Sequence, residues 1–435
     1  MVVTLVEHFE LENLQVADLG QRVTDRHMEW FHLPIVDVSV PDDAFEEDWL
    51  SAGEAIRATL RNGSNVLVHC RGGIGRAGTI AARLMVEFGW DAEAAIEEVR
   101  RVRHPTAIET PAQERHVRST KSVAEPPVSH NTKAQRDRAV GALTGLAVGD
   151  AIGTTLEFER RDDSAHRLTD MVGGGPFRLE AGQWTDDTSL AWALADSLVT
   201  TETFDPHDLA ERFVSWWRKG KYSSTGRCFD IGLTTESALE QYERSGDPFS
   251  GPTYPSTAGN GSLMRVSPVA IRHWTNRDVM VQVAAAQSRV THGATEAVEA
   301  CVLFCDILAD AIAGKPRSEV LRSRTGNYTS KVGDIASGSW KTKSRSDIHG
   351  TGYVLDALEA SLWCVGRTTS FASAVLMAAN LRDDADTTAA ITGQLAGALY
   401  GHEAIPVRWR DKIAKSRDLH SIAERLFQEA VAAPR

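Results

Sequence analysis

A cysteine and an arginine stand six positions apart at Cys70 and Arg76, and three of the residues between them are glycines. An apolar run at residues 66–68 precedes this loop, and a helical pattern follows it. Glycines let successive backbone N–H groups turn inward around a phosphate, and the following helix N-terminus adds positive potential. Arg76 can hold two phosphate oxygens, and the same field favours the thiolate form of Cys70. The segment predicts attack by cysteine on a phosphate through a phosphocysteine that water hydrolyses; the alternative is a tight turn with a buried thiol.

Acidic residues form three clusters later in the chain, each where a helical pattern begins or ends. In chain order they are Asp150 with Glu157, Thr185 with Asp186 and Asp187, and Asp384 with Asp386 and Thr387. A single acid at a helix start is usually only a cap for unpaired N–H groups. Two such clusters together offer hard oxygen ligands in different directions, which suits two neighbouring Mg²⁺ or Mn²⁺ ions better than zinc. Without cations, four carboxylates crowded together would repel one another.

The elements that must position these groups differ between the two parts of the chain. Up to about residue 118, β-rich runs alternate with helical spacing, which predicts an α/β sheet. The runs are residues 2–6, 33–36 and 66–68, and the helical patterns are residues 79–88 and 92–101. From residue 139 onward only helical patterns follow, so an all-α domain is expected. They cover residues 140–148, 189–199, 280–313, 353–365, 372–381 and 388–400.

A polar stretch containing Glu-Pro-Pro, residues 119–136, separates the two patterns and is interpreted as a linker. The predicted domains are therefore residues 1–118 and 137–432. A length of 435 residues agrees with more than one domain, since a domain typically has about 100–200 residues. The predicted fold class is multidomain, an N-terminal α/β domain followed by a C-terminal helical bundle.

The composition excludes several classes of protein. Apolar residues make up 42% and charged residues 24%, as in folded globular domains. The net charge of −12 disfavours nucleic acid as a partner. Neither a membrane span nor a signal peptide is predicted, so a cytoplasmic location is expected. The five cysteines have no metal-type spacing and are expected to be reduced, with Cys301, Cys305 and Cys364 in the core.

The surroundings of Cys70 resemble the Cys-x5-Arg phosphatase superfamily, in particular its dual-specificity branch near the kinase-associated phosphatases. The matching segments are residues 32–41, 66–76 and 107–113. The resemblance implies an α/β phosphatase domain in which Cys70 and Arg76 are catalytic and Asp37 is the general acid, with Asp42 and Asp43 as alternatives. Its phosphate-binding residues would be Arg71, Gly72, Gly73, Ile74, Gly75 and Arg76. Gln113 lies where the superfamily often places a water-orienting glutamine; the alternative is a solvated helix residue.

Two features depart from the phosphatase pattern. The hydroxyl residue that often follows the arginine is Ala77 here, with Thr79 as the nearest substitute, so turnover of the phosphocysteine is expected to be slow. The chain also opens on residues 2–6, which look like an interior strand of this family. Either the domain is trimmed, with an exposed sheet edge, or the true start lies upstream.

The acidic clusters belong to a series of motifs that resembles the ADP-ribosylglycohydrolase family over residues 134–430. The motifs are residues 149–153, 184–188, 226–232, 259–265, 352–354 and 384–387. The resemblance implies a compact all-α bundle with two Mg²⁺ ions, for which Mn²⁺ is the alternative. Their implied ligands are Thr185, Asp186, Asp187, Asp384, Asp386 and Thr387. Glu157 falls at the position of the family's catalytic or gating carboxylate.

The same resemblance implies a site for ADP-ribose between glycine-containing segments and a tyrosine that can stack on a ring. The implied contacts are Gly226, Asp230, Gly232, Asn260, Gly261, Ser262, His292 and Tyr353. Helix-connecting turns and a core tyrosine are the alternatives, and for His292 a hydrogen-bonded core position is an equal alternative. Trp216 and Trp217 are assigned to core packing.

One residue departs from this family's pattern: Arg382 stands where a glycine is common. It could pair with Asp383 or Asp384 and weaken a metal ligand, or point to solvent.

The combined interpretation is a bifunctional hydrolase that removes ADP-ribose from protein side chains, with arginine as the expected linkage, and phosphate from phosphoproteins. The alternative keeps only the first activity, with the N-terminal domain as a weak phosphate-binding or scaffold module. The expected partners are ADP-ribosylated proteins and phosphoproteins, without nucleic acid or membrane.

Overall fold

The chain divides into two units, Met1–Ser129 and His130–Arg435, in a computed structural model. The structure describes residues 1–26, 28–61, 65–123, 132–161, 167–326 and 328–432. Part of the predicted linker, residues 124–131, lies outside the described residues. The first helix of the second unit begins at Thr132, inside the stretch interpreted as linker.

A parallel three-stranded sheet and the helices around it form the first unit, as the α/β prediction expects. Its strands are β1 (Val2–Thr4), β2 (Trp30–His32) and β3 (Leu67–His69), in the order β2-β1-β3. Val3 pairs with Phe31 on one side and Val68 on the other. The helices described in this unit are α1 (His8–Asn13), α2 (Leu19–Thr24), α3 (Asp43–Arg61), α4 (Arg76–Glu87), α5 (Ala92–Val102) and α6 (Pro111–Ser119).

The strand predicted at residues 33–36 is wrong, because the strand lies just before it at Trp30–His32. Leu33 and Ile35 are buried and still donate N–H bonds to Thr4 and Leu5, but Pro34 between them has no N–H to offer. β3 is an edge strand among the described strands, and its Leu67 is 59% exposed.

The second unit is helical, as predicted. Its α-helices, within the described residues, are α7 (Thr132–Gly153), α8 (Asp186–Thr200), α9 (Pro206–Lys219), α10 (Leu233–Ser245), α11 (Ser267–His273), α12 (Arg277–Thr291), α13 (Thr295–Ala313), α14 (Arg317–Val320), α15 (Ser330–Ser337), α16 (Val354–Arg367), α17 (Phe371–Ala379), α18 (Ala385–Tyr400), α19 (Val407–Arg410) and α20 (Ser416–Ala432). Short 3₁₀ turns cover Thr154–Leu156, Pro255–Thr257, Ser339–Thr342 and Arg345–Asp347.

Two details of the helix prediction are corrected. The single pattern at residues 280–313 is two helices, α12 and α13, because the backbone leaves the helix at His292 and Gly293 packs closely against Gly251. Helix α7 continues to Gly153, so Asp150 lies within its last turn rather than past its end.

Helices α7 and α18 pack backbone to backbone at the centre of the second unit. A Cβ on Gly145 would lie 2.2 Å from the carbonyl oxygen of Gly393, and one on Gly149 would lie 2.1 Å from that of Ala389. Glycines spaced four apart form one stripe along a helix, so α18 can approach α7 at several successive turns. This contact brings the C-terminal end of α7 beside the N-terminal end of α18.

The core of the second unit contains the residues predicted for it. Cys301, Cys305 and Cys364 are fully buried thiols, Trp216 is buried, and Trp217 packs against the core from a half-buried position. One described helical stretch, Thr132–Leu156, is long and apolar enough to cross a membrane, and 94% of its most apolar window is buried inside the unit. That burial is what the central helix of a bundle requires.

Candidate active sites

The loop between β3 and α4 forms the first candidate site. Cys70 is half-buried at the end of β3, and its Sγ accepts a hydrogen bond from the N–H of Gly73 at 3.2 Å. Helix α4 begins at Arg76, three residues earlier than its pattern suggests, so its first turn directly follows the loop. A cavity of about 550 Å³ adjoins Cys70, Arg71, Gly72 and Gly73.

Arg76 is buried and held by an acid from a distant part of the sequence. Its Nη1 and Nη2 donate to the two carboxylate oxygens of Glu10 at 2.6 and 3.0 Å, and Nη1 also donates to the carbonyl oxygen of Ile35 at 3.0 Å. The bonds from Arg76 lower the pKa of Glu10. Arg76 is thus fixed in one orientation by an ion pair that sequence reasoning missed.

Of the three candidate general acids, Asp37 lies beside Arg76. One of its oxygens is 3.1 Å from Nη2 of Arg76, and its side chain is largely exposed. Asp42 accepts the N–H of Phe45 at 2.9 Å at the start of α3, which is a capping role, and Asp43 is the first residue of that helix. The geometry therefore favours Asp37 among the three.

Two weaker candidates are held by backbone contacts. Gln113 is fully buried; its Oε1 accepts the N–H of Glu109 at 2.8 Å and its Nε2 donates to the carbonyl of Ser39 at 3.0 Å. The alternative of a solvated helix residue is therefore wrong. The hydroxyl of Thr79 donates to the carbonyl of Gly75 at 2.9 Å, so its proton is used in a hydrogen bond within the first turn of α4.

The second candidate site lies where α7, α8 and α18 meet. Its centre is a group of carboxylates, called the cage below, formed by Asp150, Asp187 and Asp386. Asp150 of α7 is fully buried, and both of its oxygens accept bonds from the start of α8. The N–H groups of Thr185 and Thr188 donate to them at 2.9 and 3.0 Å, and the hydroxyl of Thr188 donates at 2.6 Å. Burial raises the pKa of Asp150 to about 6 even though these bonds lower it. Asp150 therefore fixes the turn that carries Asp186 and Asp187.

The hydroxyl of Thr185 lies within hydrogen-bond distance of three carboxylates. Oγ1 of Thr185 lies 3.0 Å from Asp150, 3.2 Å from Asp187 and 3.3 Å from Asp386. A hydroxyl has a single proton, so it can donate to only one of the three at a time. Oγ1 of Thr387 lies 3.4 Å from the same oxygen of Asp187, while the other oxygen of Asp187 is buried and has no partner among the described residues.

This donor set fits divalent cations with a preference for oxygen ligands. Oxygens of Asp150, Asp187 and Asp386 all lie within 4.8 Å of one another, and so do oxygens of Glu157, Asp230 and Asp386. Burial raises the pKa of Asp187 and Asp386 well above the usual range, and neighbouring carboxylates add to the rise. Buried carboxylates so arranged need cations to remain ionised.

The carboxylates of Asp186 and Asp384, which are also predicted metal ligands, interact with those of the cage. Burial raises the pKa of both, and the charges of Asp230 and Asp187 raise that of Asp186 further. Nδ2 of Asn260 donates to Asp384 at 2.7 Å. All six predicted metal ligands therefore lie in the cage or next to it. Asp150 and Asp230, which the predicted ligands did not include, lie there too.

Glu157 and Asp230 approach the cage from two loops. Burial, reinforced by the Asp230 and Asp384 carboxylates, raises the pKa of Glu157 to about 9, and burial raises that of Asp230 to about 8. Within the part of the chain that the structure describes, Oε2 of Glu157 is buried and has no hydrogen-bond partner. Gly226 and Gly232 flank Asp230, and both leave open space where a Cβ would be.

The loop with Asn260 and Gly261 is joined to the Tyr353 segment by backbone bonds. Asn260 N–H donates to Gly352 at 3.1 Å, and Gly259 and Tyr353 form an antiparallel bridge. The Tyr353 ring is half-buried, and its hydroxyl donates to Glu296 at 2.6 Å. Loop and tyrosine thus lie on one side of the cage, next to Asp384.

His292 belongs both to the core and to this loop. Nη2 of Arg265 donates to Oγ1 of Thr291 at 2.8 Å, and that hydroxyl lies 2.9 Å from Nδ1 of His292. The other ring nitrogen of His292, Nε2, faces Gly259 and Gly261. Burial lowers the pKa of His292 to about 3, so the ring is neutral.

The side chains of Ser262 and Arg382 lie in surroundings that differ from those expected. The hydroxyl of Ser262 is fully buried and accepts from Ser288 at 2.8 Å, so it faces the core rather than open space. Arg382 is only 4% exposed and forms an ion pair with Glu159, so the second of its two stated alternatives, an arginine that points to solvent, is wrong.

Sequence reasoning missed Glu10 and the structural role of Asp150. Asp150 belongs to the motif at residues 149–153. Its position within an apolar helix, one turn before a glycine, was a signal that its carboxylate is buried and paired. Glu10 had no local signal, because its partner is 66 positions away.

Two family models match the chain. A model described as ADP-ribosylglycohydrolase matches residues 131–434, and one described as the DSP-PTPase phosphatase domain of Swiss Army Knife proteins matches residues 1–129.

Relatives of the second unit have named activities. The ADP-ribosylarginine hydrolase Tri1 of Pseudomonas putida (strain GB-1) is 48% identical over 294 residues, 68% of this chain and 79% of that protein. The ADP-ribosyl-dinitrogen reductase glycohydrolase of Rhodospirillum rubrum is 32% identical over 280 residues, 64% of this chain and 90% of that protein. A solved structure titled ADP-ribosylglycohydrolase-related protein complex aligns with a TM-score of 0.62 and 36% identity over 68% of this chain and 99% of its own. The chain is therefore an enzyme of the ADP-ribosylglycohydrolase family that also carries, earlier in its sequence, a phosphatase domain of the dual-specificity type.

Proposed function

We propose that the second unit hydrolyses the bond between ADP-ribose and an arginine side chain of a modified protein. The observation that carries this proposal is the single hydroxyl of Thr185 among the carboxylates of Asp150, Asp187 and Asp386. One hydroxyl proton is shared among these three carboxylates, and one oxygen of Asp187 has no donor among the described residues, which suits cations that bind a sugar diol. The linkage to arginine follows the relative that is 48% identical and named as an ADP-ribosylarginine hydrolase.

The residues proposed to hold two Mg²⁺ ions are Thr185, Asp186, Asp187, Asp384, Asp386 and Thr387, with Mn²⁺ as the alternative metal. Bound cations would hold the two ribose hydroxyls and fix the sugar in place while the bond to the anomeric carbon breaks. The partner-free oxygen of Asp187 and the shared hydroxyl of Thr185 support this assignment.

The side chains around the cage have distinct proposed roles. Glu157 has a buried oxygen without a hydrogen-bond partner, and it takes a proton from the attacking water. Asn260 orients Asp384 through its 2.7 Å bond. Nε2 of His292 and the backbone of Gly261 bind ADP-ribose, and Tyr353 stacks on one of its rings. Gly226, Asp230 and Gly232 are further proposed contacts of ADP-ribose. Ser262 is proposed to contact ADP-ribose through its backbone, because its side chain faces the core.

The test is release of ADP-ribose from an arginine-linked substrate, with a serine-linked substrate beside it, in Mg²⁺ and in chelator. The wild-type protein is expected to act on the arginine substrate only with metal, and Asp186→Ala to lose that activity. Asp278→Ala, an exposed acid in the first turn of α12, is the matched control. Equal activity in chelator would overturn the metal-dependent mechanism.

We also propose that the first unit hydrolyses phosphomonoesters on phosphoproteins through Cys70. The pair between Arg76 and Glu10 leaves Nε–H of Arg76, and the Nη2 hydrogen that faces Asp37, for phosphate oxygens. Phosphate bound there would separate Asp37 from Arg76 and leave it as general acid for the leaving oxygen. The backbone N–H groups of residues 71–76 surround the remaining oxygens.

A reciprocal experiment separates the two activities. Cys70→Ser is expected to abolish hydrolysis of an aryl phosphate and to leave ADP-ribose release unchanged, whereas Asp186→Ala does the reverse. If the wild type binds phosphate but hydrolyses no aryl phosphate, the first unit is instead a phosphate-binding or scaffold module.

A further inference from the structure

Three phenylalanine rings form a chain beside the carboxylate cage. The rings of Phe158 and Phe177 lie 6.5 Å apart in an edge-on arrangement, and those of Phe177 and Phe229 lie 5.3 Å apart. Phe158 directly follows Glu157, and Phe229 directly precedes Asp230. The aromatic chain therefore joins the two loops that deliver these carboxylates to a common point near Asp386.

Phe158 is placed at the surface by a strained backbone. Its side chain is 69% exposed, and its φ of +61° is in the left-handed region, which is rare for a large residue. Its N–H donates to the carbonyl of Asp383 at 2.8 Å, and the N–H of Asp383 donates to Glu159 at 3.1 Å. Asp383 itself has a φ of +66°. Strain at two bonded segments beside an exposed aromatic ring is typical of a site that contacts a ligand.

We propose that Phe158, supported by Phe177 and Phe229, stacks on the guanidinium of the arginine that carries ADP-ribose; this inference rests on the proposed function. Aromatic faces attract cations, and the planar guanidinium stacks on them well. A serine linkage has no cation to place there, so the aromatic chain would favour arginine.

Loss of the ring should affect binding of the modified arginine rather than the metal cage. Phe158 is exposed, so Phe158→Leu removes little core packing and leaves its backbone contacts with Asp383 in place. For this variant we expect KM for an ADP-ribosylated arginine peptide to rise about tenfold, with kcat changed less than about twofold. Phe158→Tyr keeps an aromatic face and should stay within about twofold of the wild type.

The experiment measures kcat and KM on that peptide in Mg²⁺, and the Kd of free ADP-ribose by calorimetry, for wild type, Phe158→Leu, Phe158→Tyr and Phe9→Leu. Phe9 is an exposed phenylalanine of the first unit and serves as the matched control. A raised KM with an unchanged ADP-ribose Kd in Phe158→Leu alone supports the proposal. An unchanged KM, or an equal loss of ADP-ribose affinity, overturns it while the proposed function stands. A wild type that binds ADP-ribose but does not cleave the arginine peptide overturns both.

Discussion

Both carboxylate oxygens of Glu10 accept hydrogen bonds from the guanidinium of Arg76, and both side chains are buried. The pair connects α1 with the first residue of α4, so the arginine is oriented before a phosphate arrives. Preorganised donors of this kind avoid reorganisation during the reaction. Glu10 is thus a positioning residue for the proposed phosphatase.

Glu10→Gln is expected to lower kcat/KM for an aryl phosphate by about 10- to 100-fold, because Arg76 loses the negative charge of its partner and one of its two acceptor oxygens. Steady-state kinetics measure the loss, and ADP-ribose release by the same sample should be unchanged. Glu12→Gln changes an exposed acid of the same helix and should leave both rates as they are. Wild-type phosphatase kinetics in Glu10→Gln would show that Arg76 needs no such anchor.

Asp150→Asn is expected to reduce Mg²⁺ affinity and ADP-ribose release by about 10- to 100-fold. An amide nitrogen would then face the N–H and hydroxyl donors of Thr188 or Thr185, and the turn with Asp186 and Asp187 would shift. Calorimetry with Mg²⁺ measures the affinity independently of activity. Asp278→Asn is the control on a solvent-exposed helix start. An unchanged Mg²⁺ affinity would exclude the positioning role of Asp150.

Local patterns were enough to predict much of the fold, and they singled out several residues that lie close together in the two candidate sites. The glycine loop after residues 66–68 and the helical runs of the second unit have signals within a few positions. The pairings of Glu10 with Arg76 and of Asp150 with Thr185 have none, because they depend on how distant elements pack. The break at His292 was missed for a similar reason: its neighbour Gly251 is remote in sequence.

Gly149→Ala is expected to destabilise the second unit by about 1–3 kcal/mol, through overpacking. The new Cβ would lie 2.1 Å from the carbonyl oxygen of Ala389, and neither backbone can move without separating α7 from α18. Gly333→Ala in α15 is the matched control, because nothing lies within 4 Å of its Cβ position. There the higher helix propensity of alanine should leave stability equal or raise it by up to about 1 kcal/mol. Denaturant unfolding measures both changes, and equal stabilities would contradict the close packing of α7 and α18.

Magnesium is expected to raise the unfolding temperature of the second unit more near pH 8 than near pH 6. Burial raises the pKa of Glu157 to about 9 and that of Asp230 to about 8, whereas unfolded carboxyls ionise near pH 4. Between those values the metal-free folded state binds more protons than the unfolded chain, so its stability falls as pH rises through this window. Cations bind the ionised carboxylates and compensate that loss, so their stabilising effect grows with pH. Calorimetric scans in Mg²⁺ and in chelator at both pH values measure the difference, which Asp187→Asn should abolish. An equal shift at the two pH values would show that the cage binds no cation in competition with protons.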